Sequence, residues 1–182
     1  MGTIKATNIE PIANNGTVTL GSSGDTFALG SGVTQTIANN TPAFFAKLSG
    51  ATVISNDAFT KVACNTEVYD TNSMYDNSSN YRFTPTIAGE YYVYGTVYIT
   101  SPTALLQYID AYIYKNGSAV LDSGVSTYNS NYINSAGCFV GGNVTFNGSS
   151  DYIELYAVAG GASTVSVSAN ISNFGAYRLI GV

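Results

Sequence analysis

The sequence contains no histidine and no tryptophan, and only 9% of its residues are charged. Without histidine the commonest general base and metal ligand is missing. A serine or cysteine nucleophile then lacks its usual partner. Lysine and arginine number six against eleven acids, for a net charge of −5. The six are scattered along the chain, so binding to duplex nucleic acid is not expected. No apolar run approaches the length that spans a bilayer. The opening Met1-Gly2-Thr3-Ile4-Lys5 lacks the apolar core of a signal peptide, and Ala6 fails the myristoylation pattern that Gly2 would start. No membrane partner is expected. No stretch shows capped helical periodicity either.

What is present is tyrosine, asparagine, serine, threonine and glycine. Aromatics make up 13% of the 182 residues, most of them tyrosine. Low charge argues against disorder here, because disorder goes with high charge and little apolar content. A chain of this length buries roughly two thirds of its extended surface on folding, and so needs no metal or disulfide staple. It suits one β domain with an appendage.

The clearest local signal is residues 81–99. Thr86-Ile87-Ala88-Gly89 reads as a turn, with Gly89 free to take φ > 0. After it the side chains alternate. Tyr91, Val93, Gly95, Val97 and Ile99 point one way, Tyr92, Tyr94, Thr96 and Tyr98 the other. Period two with aromatic and β-branched residues predicts a strand.

In chain order, residues 1–40 carry scattered apolar positions (Ile4, Ile9, Ile12, Val18, Leu20, Phe27, Leu29, Val33) among glycine turns. They are too few to build a core, so this segment is expected to be a β-rich anchor or stalk that depends on other chains. A flexible leader is the plainer alternative. Residues 41–182 form the second unit. Strands are predicted over Pro42–Leu48, Lys61–Thr66, Leu105–Lys115, Ser118–Ser123, Gly137–Phe146, Asp151–Ala159 and Phe174–Ile180. A short run falls at Val165 and Val167, and Tyr69–Asn80 reads as a loop. Asn116-Gly117 is the strongest hairpin signal. Many short strands at such spacing predict an all-β antiparallel sandwich or jelly roll.

Three strands share one pattern. Ile109, Ala111 and Ile113 oppose Tyr108, Tyr112 and Tyr114; Ile153, Leu155 and Ala157 oppose Tyr152, Glu154 and Tyr156; the split in 91–99 is given above. One face is aliphatic, as a core requires. The other is rich in tyrosine where a solvated face carries charge. Tyrosine has an apolar body and a polar tip, which suits an interface. A partner chain covers that face, a sugar stacks on it, or the tyrosines are ordinary surface residues. Self-association is the reading carried forward.

An ordered set of motifs then resembles a known family. Pro42-Ala43-Phe44, Phe59-Thr60-Lys61-Val62, Asn65-Thr66, Tyr75-Asp76, Tyr81-Arg82-Phe83-Thr84-Pro85, Ala88-Gly89-Glu90-Tyr91-Tyr92 and Ile113-Tyr114-Lys115-Asn116-Gly117 follow one another. Gly148 to Leu155 and Phe174-Gly175-Ala176-Tyr177-Arg178-Leu179 complete the set. It is similar to the complement C1q/tumour-necrosis-factor (TNF) jelly roll, in the version found in bacteriophage structural proteins, over about 42–182. Ile9-Glu10-Pro11-Ile12 and Thr19 to Phe27 look like segments of phage tail-fibre and other virion fibre proteins. The resemblance implies a homotrimeric jelly roll, exposed on a virion, with residues 1–40 attached to other capsid or tail proteins. Head fibre, capsid decoration and tail-fibre tip all fit. The alternative is a receptor-binding adhesin of the same fold that contacts a host surface glycan. Within the trimer, Tyr92, Tyr152 and Tyr156 are expected to meet near the threefold axis.

Other chemistry is thinly represented. Glu67, Asp70, Glu90 and Glu154 offer carboxylates, but their spacing demands no acid pair, and no enzymatic activity is expected. Asp70, Asn72 and Asp76 are oxygen ligands of the calcium type in one loop, without EF-hand spacing. A solvated turn is the better explanation of them, so calcium is a weak candidate and no other cofactor is implied. Cys64 and Cys138 are expected to be free buried thiols rather than a disulfide.

Overall fold

The computed structural model describes residues 41–102, 105–127, 133–161 and 164–180, together with Ser31. The expected anchor at residues 1–40 otherwise lies outside the described residues. Among those described there are thirteen strands and no helix. In chain order they are β1 (Ala43–Lys47), β2 (Thr52–Ser55), β3 (Thr60–Lys61), β4 (Thr66–Asp70), β5 (Tyr75–Asp76), β6 (Arg82–Phe83) and β7 (Gly89–Thr100). Then follow β8 (Tyr108–Lys115), β9 (Ser118–Ser126), β10 (Ser135–Phe146), β11 (Ile153–Gly160), β12 (Thr164–Val167) and β13 (Asn173–Arg178).

All pairings are antiparallel. The long β7 centres a seven-stranded sheet. It pairs with β10 along its whole length, and on its other side with β13, which leads on to β1 and β4. Near Thr100, β12 joins β7 and carries β2. The six-stranded sheet runs β5-β6-β11-β8-β9, with β3 also on β11. The chain enters at Pro42, whose carbonyl accepts the Arg178 N–H at 3.2 Å. The 84–88 and 116–117 turns lie at that same pole. The connections β7–β8, β9–β10 and β11–β12 leave from the opposite pole.

The alternation in 91–99 holds at every position. Tyr91, Val93, Val97 and Ile99 are fully buried, and face Ile109, Ala111, Ile113, Ile153, Leu155 and Ala157 from the other sheet. Gly95 leaves room for that sheet to approach: a Cβ there would come within 2.6 Å of a Leu155 methyl. At one end of the sandwich the core is aromatic. Phe44 stacks on Tyr75 at 4.4 Å and on Phe83 at 4.6 Å, and meets Phe174 edge-on at 5.0 Å. Tyr91 and Phe146 continue the cluster at 5.0 Å. Burying each such ring stabilises the fold by about 1.5–3 kcal/mol. The polar tips are satisfied: the Tyr91 hydroxyl donates to the Ile87 carbonyl, and the Tyr75 hydroxyl to the Cys64 carbonyl, each at 2.8 Å.

The turns obey the sequence. Asn116 and Gly117 take φ of 52° and 82°, the pair of positive values a two-residue hairpin needs, and Gly89 takes 142°. Three segments differ from expectation. The predicted strand Lys61–Thr66 is a crossing between sheets. Lys61 pairs with Tyr156 in one sheet and Thr66 with Lys47 in the other, while Val62 and Cys64 both turn into the core. Buried residues two apart imitate strand alternation although the chain is changing layers. The predicted loop Tyr69–Asn80 contains the end of β4 and all of β5, because Tyr75 is drawn inward onto Phe44. The short β2 was not expected. Only Ile54 of its four residues is buried, too few to show a period.

Candidate functional site

Each sheet presents an outer face dense in aromatic rings, and the two faces differ in chemistry. On the seven-stranded sheet, register sets Gly141, Tyr94, Gly175, Phe45 and Tyr69 in one row across β10, β7, β13, β1 and β4. Tyr92 and Tyr177 are partners in the adjacent row. Ring centroids are 6.3 Å apart for Phe45–Tyr94, 6.2 Å for Phe45–Tyr69, 6.2 Å for Tyr92–Tyr94 and 5.7 Å for Tyr92–Tyr177. The glycines shape this surface. A Cβ on Gly175 would come within 2.5 Å of the Tyr94 ring, so glycine lets that ring lie flat across β13. At Gly141 both the Phe139 ring and the Tyr92 hydroxyl would be 3.0 Å away. Phe139 remains 53% exposed and Tyr69 46%, a large apolar area left in water by the isolated chain. Burial, followed by the neighbouring Tyr69, pushes the Tyr94 hydroxyl well above the usual phenol range.

The outer face of the six-stranded sheet is aromatic and charged. Tyr114 and Tyr156 lie 4.3 Å apart, and Tyr112 meets Tyr114 at 6.3 Å and Phe59 at 5.1 Å. Glu154, almost wholly buried, accepts from Lys61 Nζ at 2.6 Å. Lys61 lies 5.9 Å from the Tyr156 ring centroid, and the Arg82 guanidinium 4.5 Å from that of Tyr152. Burying Glu154 without Lys61 would leave an unpaired charge, so the two fix one another's position.

The three tyrosines expected at one axis are therefore divided. Tyr92 sits on the seven-stranded sheet, while Tyr152 and Tyr156 lie on the far side of the sandwich. Alternation shows which side of its own sheet a residue takes, and is silent on which sheet the strand joins. The residues beside Tyr92 that the sequence reading passed over are Phe45, Tyr69, Phe139 and Tyr177. Phe45 carried a usable signal, since it follows the core residue Phe44 and must point the other way.

The calcium candidates are occupied by the chain itself. Asp76 Oδ1 accepts the N–H groups of Ser78 and Ser79 at 3.0 and 2.9 Å, and its Oδ2 accepts both the Asn80 N–H at 3.1 Å and Nδ2 at 2.8 Å. These bonds, led by that from Ser79, hold the Asp76 carboxyl well below the usual range. Asp70 caps the preceding turn through the N–H groups of Asn72 and Tyr75, and Asn72 accepts from the Thr71 hydroxyl. Asp70, Asn72 and Asp76 thus each help organise this loop. Among the described residues no three His, Cys, Asp or Glu side chains cluster as a metal site. The other acids have separate settings: Glu154 is tied to Lys61, Glu90 accepts from the Thr145 hydroxyl, and Glu67 lies exposed on β4. Both cysteines are buried free thiols; Cys138 Sγ donates to the Ser123 carbonyl at 2.9 Å. Burial pushes the Cys64 thiol up to about 12.

Two packed antiparallel sheets in this order form a jelly roll of the tumour-necrosis-factor type. Among solved structures, Eiger TNF from S. frugiperda is similar at 17% identity and a TM-score of 0.55, over 77% of this chain and 93% of that one. Murine APRIL at pH 5.0 is similar at 15% identity and 0.55, over 75% and 99%. Murine APRIL at pH 8.0 gives 14% and 0.55, over 75% and 98%. At such identities the likeness is one of fold. No protein-family model matches the chain, and no curated protein matches its sequence.

Proposed function

We propose that this chain is a non-enzymatic assembly module that works as a homotrimer, three copies burying the outer face of the seven-stranded sheet against one another. The observation that carries this reading is the row Tyr94, Phe45 and Tyr69, flanked by Tyr92 and Tyr177, on a sheet face that no other described strand covers. Rings of this kind bury much area at little rotamer cost, and tyrosine hydroxyls tolerate a partly wet interface. The low charge of the chain keeps the desolvation cost of close approach small. Tyr92 is retained as an interface residue; Tyr152 and Tyr156 belong to a different surface.

The sequence resemblance of residues 9–12, 19–27 and 42–182 to phage structural proteins supports placing this trimer on a virion, as a head fibre, capsid decoration or tail-fibre tip. Residues 1–40 would then join it to other virion proteins. The deciding experiment is light scattering at micromolar concentration. The unaltered protein is expected at three times its 19.0 kDa chain mass. Tyr94→Asp with Tyr177→Asp is expected to give single folded chains, since like charges would crowd a desolvated interface. A single-chain mass for the unaltered protein refutes the trimer. Absence of the protein from purified particles refutes the virion placement.

A further inference from the structure

The outer face of the six-stranded sheet repeats one arrangement. Lys61 rests beside the Tyr156 ring with Glu154 as its carboxylate partner. Arg82 lies over the Tyr152 ring, and its cross-strand neighbour is again Glu154. Each unites a cation, a tyrosine ring and a carboxylate, and each is complete within the chain. A third grouping on the same face has the ring and the carboxylates alone. Tyr112 has Asp110 two residues before it on β8 and Asp122 directly opposite on β9. Phe59, 53% exposed, packs edge-on against it. Gly124 opposite Asp110 keeps this space open, for a Cβ there would overlap the Asp110 carboxylate.

Among the described residues neither Asp110 nor Asp122 forms an ion pair, and burial together with the Asp122 charge raises the Asp110 carboxyl above its ordinary range. No described cation of the chain reaches these two acids. Lys61 and Arg82 are engaged as above, Lys115 pairs with Asp151 at 2.9 Å, and Lys47 on β1 and Arg178 on β13 belong to the other sheet. Pairing this face with its copy would set acids against acids. A neutral sugar would stack on the ring but leave both charges uncompensated.

We propose that this face docks a basic segment of a partner protein, one arginine or lysine seating on the Tyr112 ring between Asp110 and Asp122 with Phe59 as its apolar wall. Arginine suits the place better. Its planar guanidinium stacks on a ring and presents forked donors to carboxylates on either side. The surface lies on the opposite side of the sandwich from the proposed trimer face, so it stands or falls independently of that assembly.

Fluorescence polarisation of a labelled arginine–glycine pentapeptide against the unaltered protein at low salt tests this directly. Saturable binding is expected, weakened about tenfold when citrulline, uncharged and of the same shape, replaces arginine. Asp110→Asn with Asp122→Asn is expected to weaken it about tenfold as well, with oligomeric state unchanged. Glu67→Gln, which removes an exposed acid from the other sheet, is expected to leave binding as it was. Equal affinity for the citrulline peptide overturns the proposal, and that comparison stands even where the double variant fails to fold. So does an equal loss with Glu67→Gln, which would mean diffuse attraction to an acidic protein. Maltohexaose binding abolished by Tyr112→Leu, with no binding of the arginine peptide, would mark the face as a saccharide site and overturn it too.

Discussion

Removing the Phe44 ring tests how the sandwich is held. Phe44 is fully buried and meets three other rings, stacked on Tyr75 and Phe83 and edge-on to Phe174. Those three come from β5, β6 and β13, so one side chain joins strands of both sheets. Phe→Ala in a core costs about 3–5 kcal/mol in lost transfer energy and cavity. Each aromatic pair adds roughly 0.5–1.5 kcal/mol beyond area. The upper end of the range, about 5 kcal/mol, therefore applies to Phe44→Ala. For a domain of about 140 residues the unfolding entropy is roughly 0.3 kcal/mol per degree, which converts this to a Tm lower by about 15 °C. Phe44→Leu keeps most of the volume and should cost about 2 kcal/mol. Phe59→Ala is the control, since that ring is 53% exposed, and should stay within about 1 kcal/mol. Calorimetry at one fixed chain concentration is the assay, because an oligomer's Tm depends on concentration. If Phe44→Ala melts within about 5 °C of the parent, or no lower than Phe59→Ala, the aromatic cluster is not what joins the sheets.

Two further outcomes follow from the described loops and thiols. The Asp76 carboxyl titrates below its ordinary 3.8 when folded, so its stabilisation is complete above that pH and is lost as pH falls through the folded value. Asp76→Ala should lower the urea midpoint at pH 6, by about 1 kcal/mol of stability, and the gap to the parent should close toward pH 2; a gap that stays constant with pH would show that the loop bonds do not depend on the charge. Cys64, with its thiol pushed up to about 12, should resist iodoacetamide at pH 8 in the native protein and react once guanidinium unfolds it. Rapid native labelling at Cys64 would place it outside the core.

Period-two alternation was legible wherever a strand is long and carries a buried face: every side assigned in 91–99 and 105–115 is as read. It failed where residues two apart are buried for another reason, as with Val62 and Cys64 at the change of sheets. It also failed where a strand is too short to show a period, as with β2 and β5. The tyrosine faces were visible as faces, but their grouping depends on which strands share a sheet. That is set by non-local pairing such as Tyr94 with Gly175, which no local pattern reports. The acids of the 70–76 loop suit a solvated turn better than a calcium site, and the turn is what forms. Their actual partners are backbone N–H groups a few residues on, the usual use of Asp in turns.

The meeting of Pro42 with Arg178 brings the two ends of the described jelly roll to one pole. Cargo fused after β13 would emerge beside the chain that leads into β1. The end of β9 and the start of β10 lie at the opposite pole, so a peptide spliced between them would be carried away from both of those ends. In the proposed threefold assembly each unit would offer three copies of it. A binder too weak to hold one copy would then gain from the high local concentration of the other two.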